Sequence, residues 1–107
     1  SGTAPIPVDK PEIAAYTALA GEQLGLKLIF TEAGSGANHP VPTEVIRAIK
    51  REINIPLIVG GGVRTKEAAI QVYEAGADVV VVGNHFEKNP DLIREIAEAR
   101  NKVTGAR

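Results

Sequence analysis

The sequence predicts an α/β fold built from parallel β/α units, and three observations predict it. Short apolar runs alternate with stretches of helical periodicity, three of the runs end in glycine-bearing turns that open into a helix, and the unit recurs at intervals of about twenty to thirty residues. The turns are Ile29-Phe30-Thr31-Glu32-Ala33-Gly34-Ser35-Gly36-Ala37, then Leu57-Ile58-Val59-Gly60-Gly61-Gly62, then Val79-Val80-Val81-Val82-Gly83-Asn84. Glycine lacks a Cβ, so backbone N–H groups in such turns approach an anion closely, and the helix that follows directs its positive end the same way. Three such turns side by side form an anion cradle.

Pro5, Pro7 and Pro11 hold the first segment extended, and Asp9 is positioned to cap a helix from Pro11 to about Leu24, which Gly25 stops. Lys27 to Thr31 reads as a buried strand. After the first glycine turn, Pro42-Thr43-Glu44 opens a second helix whose apolar positions Val45, Ile46, Ile49 and Ile53 recur at helical spacing, and Asn54 and Pro56 close it. Leu57 to Val59 is the next strand. Thr65 is an N-cap candidate for a helix through Ala68, Ala69, Val72 and Tyr73 that ends at Gly76. Val79 to Val82, with no polar alternation, has the pattern of a parallel strand covered on both faces. Pro90 then starts a last helix carrying Leu92, Ile93, Ile96 and Ala97.

A chain of 107 residues with 44% hydrophobic residues is one packed domain. The net charge of −1, with acidic and basic residues interspersed, offers no polybasic face and argues against nucleic acid as a partner. The absence of cysteine excludes a disulfide framework and a thiolate nucleophile, and fits a cytoplasmic location. No apolar run approaches the roughly eighteen residues of a transmembrane segment.

Three parallel strands do not close a β/α barrel, which needs eight and typically about 250 residues. An open three-stranded sheet has apolar edges that invite pairing, so the chain is expected to be completed by another polypeptide or a second copy of itself. A small flavodoxin-like domain with few strands is the alternative.

The ordered set Phe30-Thr31-Glu32-Ala33-Gly34-Ser35-Gly36-Ala37, Pro40-Val41-Pro42, Pro56-Leu57-Ile58-Val59-Gly60-Gly61-Gly62-Val63-Arg64, Ala75-Gly76-Ala77-Asp78 and Val82-Gly83-Asn84 resembles the geranylgeranylglyceryl phosphate synthase family. The opening Pro5-Ile6-Pro7, Asp9-Lys10-Pro11-Glu12-Ile13-Ala14, Tyr16 and Leu19-Ala20 is similar to the segment after that family's fifth strand. The resemblance implies the C-terminal half of a TIM (β/α)8 barrel, residues 1–107 forming one segment with strands 6 to 8 and helices 5 to 8. It implies a prenyltransferase half that joins the C3 hydroxyl of sn-glycerol 1-phosphate to a polyprenyl diphosphate such as geranylgeranyl diphosphate, in archaeal ether-lipid synthesis. Mg2+ would sit on the diphosphate, its ligands in the missing N-terminal half, so the chain alone is expected to be inactive. A non-catalytic, self-associating half-barrel is the competing expectation. A third is another phosphate-binding barrel, such as a thiazole or histidine-pathway enzyme.

By the same resemblance Gly61, Gly62, Gly83 and Asn84 bind the phosphate, and Phe30, Thr31, Glu32, Ala33, Gly34, Ser35 and Gly36 bind the glycerol phosphate. Glu32 is the one carboxylate at a strand's C-terminal end, suited to accept hydrogen bonds from glycerol hydroxyls and to take the proton of the attacking one. Phe30 stands where many members have Tyr, so no hydroxyl is available there. Plainer roles compete at several positions. Ser35 lacks a histidine at a spacing that suggests a base and reads as a turn or phosphate contact. His39 and His85 read as loop residues, Arg64 as an ion-pair partner of Glu67 or Glu87, and Asp78 as a local cap or pair. Tyr16, Ala20 and Leu24 fit a prenyl groove or, more simply, helix core.

Overall fold

A computed structural model describes residues 6–33 and 39–82 and, in the last stretch, Arg94, Glu98, Asn101 and Val103. The element order is α1 (Pro11–Gln23), β1 (Ile29–Glu32), α2 (Thr43–Glu52), β2 (Leu57–Gly60), α3 (Lys66–Ala75) and β3 (Val79–Val81). The strands form one parallel sheet in the order β1-β2-β3. Arg94, Glu98, Asn101 and Val103 are all helical, and Val103 packs against the core; the expected start at Pro90 lies outside the described residues.

Each helix is set by local signals. Thr65 caps α3, its hydroxyl accepting the Ala68 N–H at 3.1 Å, and Thr65→Ala is expected to cost about 1 kcal/mol, read as a lowered Tm. The expected cap on α1 is different. Its N-cap residue is Lys10, with no side-chain cap hydrogen bond, and Asp9 does not serve. Proline in the first turn explains why none is needed, since its fixed φ starts the helix and it has no N–H to satisfy. Gly25 follows the helix end as expected, its N–H bonded to the Glu22 carbonyl.

The core lies between the sheet and α1, α2 and α3. Ile29 of β1 and Leu57 and Val59 of β2 are buried in one cluster with Ala14 and Ala18 of α1, Val45, Ile46 and Ile49 of α2, and Ala69, Val72 and Tyr73 of α3. Register puts Phe30, Ile58 and Val79 in one row and Glu32, Gly60 and Val81 in the next, on the opposite face. On that face Leu28, Phe30, Val79 and Val81 are 36–44% exposed. The expectation that Val79 to Val82 is covered on both faces is therefore corrected. Within the described residues the helices cover one face, as in a barrel wall, whereas a flavodoxin-like sheet carries helices on both.

Small residues explain a second correction. The buried face of α1 consists of Ala14, Ala15 and Ala18, which lets the helix lie close against its neighbours and turns its bulkier side chains outward. Tyr16 and Leu24 are 65% and 87% exposed and Ala20 is exposed, so the three are not helix core.

At the N-terminal ends of the strands, carboxylates fasten distant segments. Asp78 Oδ2 accepts hydrogen bonds from Lys50 Nζ and from the Leu57 N–H, both at 2.8 Å, so it joins α2, β2 and β3. Glu22 Oε1 accepts from the Asn54 and Ile55 N–H groups at 2.6 and 3.1 Å and ties the end of α1 to the loop before β2. Gly76 serves the same rim. Its φ is +126°, and a Cβ there would lie 2.9 Å from Lys50 Cγ, in the path of the stem that carries the ammonium to Asp78. Gly76→Ala is expected to cost about 1–2 kcal/mol, measurable as a lower Tm.

Candidate functional site

The opposite rim, at the C-terminal ends of the strands, holds the described part of the glycine turns, Gly60, Gly61 and Gly62. In a β/α unit the turn after each strand leads to a helix N-terminus at this end, so backbone N–H groups and positive helix ends accumulate there. Glu32 is the last residue of β1 and lies in register with Gly60, the last of β2. It is exposed on the open face, in a row with Gly60 and Val81.

Two ties hold the segments after β1 and β2 together. The Ala33 N–H donates to the Gly60 carbonyl at 3.1 Å, extending the pairing one step past the strand. Gly61 and Gly62 then turn with φ of +82° and +73°, a region that strongly favours glycine. An ideal Cβ on Gly62 would overlap the His39 carbonyl group, so the backbone at His39 and Pro40 rests directly on Gly62. The segments leaving β1 and β2 therefore converge on one rim.

Phe30 lies on the same open face as Glu32. A Cβ on Gly60 would come within 3.2 Å of Phe30 Cζ, so the ring lies over this glycine and gives the base of the site an apolar floor. Thr31 points the other way. It is 1% exposed on the helix side of the sheet, and among the described residues its Oγ1 has no hydrogen-bond partner. Of the expected site residues, the structure brings together Glu32, Ala33, Gly61 and Gly62 and puts Phe30 beneath them, while the Thr31 side chain faces the core. Gly34, Ser35, Gly36, Gly83 and Asn84 lie outside the described residues, as do His85 and Glu87. His39 and Arg64 are exposed.

Sequence reasoning placed Gly60 in the second glycine turn without naming it among the binding residues, and it passed over the His39-Pro40 backbone. Three successive glycines gave a signal for the first; nothing local signals the second. Elsewhere, a groove of about 480 Å³ between α1 and α2 is lined by Lys10, Glu12, Ile13, Ala48 and Arg51, among others, and contains none of the rim glycines.

The PcrB family model matches residues 1–100. The chain belongs to the PcrB family. A geranylgeranylglyceryl phosphate synthase of Spirosoma linguale is 53% identical over 97 residues, covering 91% of this chain and 39% of the relative. One from Thermococcus gammatolerans is 52% identical over 99 residues, covering 92% and 38%. Among solved structures, (S)-3-O-geranylgeranylglyceryl phosphate synthase from Thermoplasma acidophilum, in complex with its substrate sn-glycerol-1-phosphate, superposes with a TM-score of 0.78 at 39% identity, over 92% of this chain and 40% of that one. The chain thus spans about two fifths of the length of the curated relatives it matches. The PcrB chain is a set of parallel β/α units of the TIM-barrel type, and the resemblance read from the glycine motifs holds.

Proposed function

We propose that this chain is the phosphate-binding part of a prenyltransferase that joins sn-glycerol 1-phosphate to geranylgeranyl diphosphate in ether-lipid synthesis. In this reading it supplies strands 6 to 8 and helices 5 to 8 of a (β/α)8 barrel. The observation that carries it is the register of Glu32 with Gly60, which sets one carboxylate beside a glycine turn at the rim where barrels of this type hold phosphate. The glycerol phosphate bound by the Thermoplasma acidophilum relative supports the choice of acceptor.

Each group has a distinct task. Backbone N–H groups of Gly61, Gly62, Gly83 and Asn84 take the phosphate oxygens, a strong arrangement because the acceptor is ionised. Gly34, Ser35 and Gly36 complete the cradle from the β1 side. Glu32 accepts hydrogen bonds from the glycerol hydroxyls and fixes the C3 oxygen toward the open face. That oxygen forms the new bond to the allylic carbon as the carbon–oxygen bond to diphosphate breaks and the electron pair leaves with the diphosphate. Glu32 takes the hydroxyl proton. The floor made by Phe30 keeps water from the reacting carbon. No His, Cys, Asp or Glu cluster capable of holding a cation occurs among the described residues, so no Mg2+ ligand is assigned here; the complementary part of the barrel would hold the metal on the diphosphate.

The exposed apolar face of Leu28, Phe30, Val79 and Val81 is consistent with a partner that closes the barrel. The part of the relatives' barrel that this chain does not span fits it. A second copy of the chain is the other reading that this face favours, and would give a self-associating module without activity. The test is a prenyl transfer assay with sn-glycerol 1-phosphate, geranylgeranyl diphosphate and Mg2+. Turnover is expected when the chain is mixed with the N-terminal part of a relative's barrel and not with the chain alone. A symmetric dimer by size-exclusion mass, with no turnover in the mixture, supports the second reading.

A further inference from the structure

We infer that Gly60 is a positioning residue for the apolar floor of the site: it leaves open a place in the row Glu32-Gly60-Val81 that the Phe30 ring fills, and the ring so placed keeps water from the ground beside the carboxylate. The inference rests on the functional reading above and deepens it. The backbone does not require glycine at position 60. Gly60 is the last residue of β2, paired in register with Glu32 on one side and Val81 on the other, and it is not among the glycines with positive φ. Gly61 and Gly62 are, so the three successive glycines are glycine for different reasons. A glycine in a strand weakens it and packs nothing, and where no special φ is needed it marks a close approach.

What approaches is the ring. A Cβ on Gly60 would stand 3.2 Å from Phe30 Cζ, 3.9 Å from Phe30 Cε1 and 3.6 Å from Val81 Cβ. Phe30 lies two residues before Glu32 on β1, in the row of Ile58 and Val79, so its ring crosses from that row to the next to reach this place. The row at the rim therefore reads carboxylate, ring edge, valine. A methyl group at position 60 would be closer to the ring than side chains ordinarily pack, so the ring must move aside by a few tenths of an ångström. A larger side chain takes the place outright. The Ala33 N–H keeps its partner in either case, because the Gly60 carbonyl belongs to the main chain, and a strand accepts a β-branched residue readily. Substitution at position 60 thus moves the ring without removing a backbone hydrogen bond.

Water that reaches the reacting carbon gives an alcohol in place of the ether. The water oxygen bonds to the allylic carbon as the bond to diphosphate breaks, the diphosphate leaves with the electron pair, and the water gives up one proton to solvent. The ratio of this hydrolysis to transfer reads the floor. In the chain paired with the remainder of its barrel, with sn-glycerol 1-phosphate, geranylgeranyl diphosphate and Mg2+, Gly60→Val is expected to raise the alcohol formed per prenyl group transferred by about tenfold. Should Gly60→Val fail to fold, Gly60→Ala is expected to shift the ratio in the same direction by about threefold. Phe30→Ala is expected to match Gly60→Val, and adding Gly60→Val to it to change little, since no ring remains to displace. Gly76→Ala, at the other rim, controls for lost stability and is expected to leave the ratio unchanged. An unchanged ratio in both Gly60 variants, or an equal further rise on the Phe30→Ala background, would overturn the inference. A nuclear Overhauser cross-peak between the Phe30 ring protons and the Gly60 α-protons, in the labelled chain without substrate, tests the seat apart from the functional reading. The cross-peak is expected, and its absence would overturn the inference even where prenyl transfer proceeds as proposed. A pair that transfers nothing while the cross-peak is present overturns the functional reading, and with it the role of the floor, but not the seat of the ring.

Discussion

Ile46→Ala is expected to unfold most of the chain in mild denaturant. Ile46 is fully buried on α2, in one cluster with Ala14 and Ala18 of α1, Leu57 and Val59 of β2, and Val72 of α3. Removing three carbons from such a site costs about 2–5 kcal/mol, because the transfer free energy is lost and the packed neighbours collapse only partly into the cavity. Domains of ordinary stability have about 5–15 kcal/mol to lose, and a sheet with one apolar face exposed belongs at the low end. Urea unfolding followed by circular dichroism checks this. With a slope of about 1 kcal/mol per molar for a small domain, the midpoint is expected to fall by about 2 M or more. A shift under about 0.5 M would mean that α2 does not pack on the sheet through Ile46.

Glu32→Gln is expected to have the largest effect on activity. The amide keeps the size of the carboxylate but bears no charge and takes no proton at neutral pH. In the chain paired with its complementary part, prenyl transfer is expected to fall by about 10²–10⁴-fold if proton acceptance is the lost step. The KM for sn-glycerol 1-phosphate is expected to rise by about tenfold, as a hydrogen bond to a charged group is replaced by a neutral one. Stability should change little, since Glu32 is exposed and outside the hydrophobic cluster. Steady-state kinetics separate the two effects. Unchanged turnover with a raised KM would leave Glu32 a binding residue and remove it as the base.

The elements were legible where the signal is local. Thr65 and Gly76 bracket a helix observed between them, and β2 begins directly after Pro56, as its apolar run indicates. The first cap was misread because Asp9 has a capping side chain, yet the backbone turns into the helix one residue later, at Lys10, where Pro11 removes the need. Asp78 also joins Lys50 and the Leu57 N–H, 28 and 21 residues away, and such distant pairs are not signalled by sequence proximity.

The burial of the valine run could not be read from its composition. Val79 to Val82 has no polar residue to mark an exposed face, and only the common placement of the helices reveals one. The candidate site divides in the same way. The glycines and Glu32 are visible as a motif because their order is distinctive. The seating of His39-Pro40 on Gly62 joins residues about twenty positions apart through main-chain atoms, which carry no residue-type signal.

In the proposed function, main-chain N–H groups beside Glu32 hold a glycerol phosphate at the C-terminal rim. Amide chemical shifts in a titration of the isotopically labelled chain, paired with its complementary part, with sn-glycerol 1-phosphate test this most directly. Saturable shifts are expected at Gly61, Gly62, Gly83 and Asn84 and at Glu32 and Ala33, with the Glu22 and Asp78 rim unmoved. Shifts confined to the groove between α1 and α2, or to the rim that holds Asp78, would contradict it.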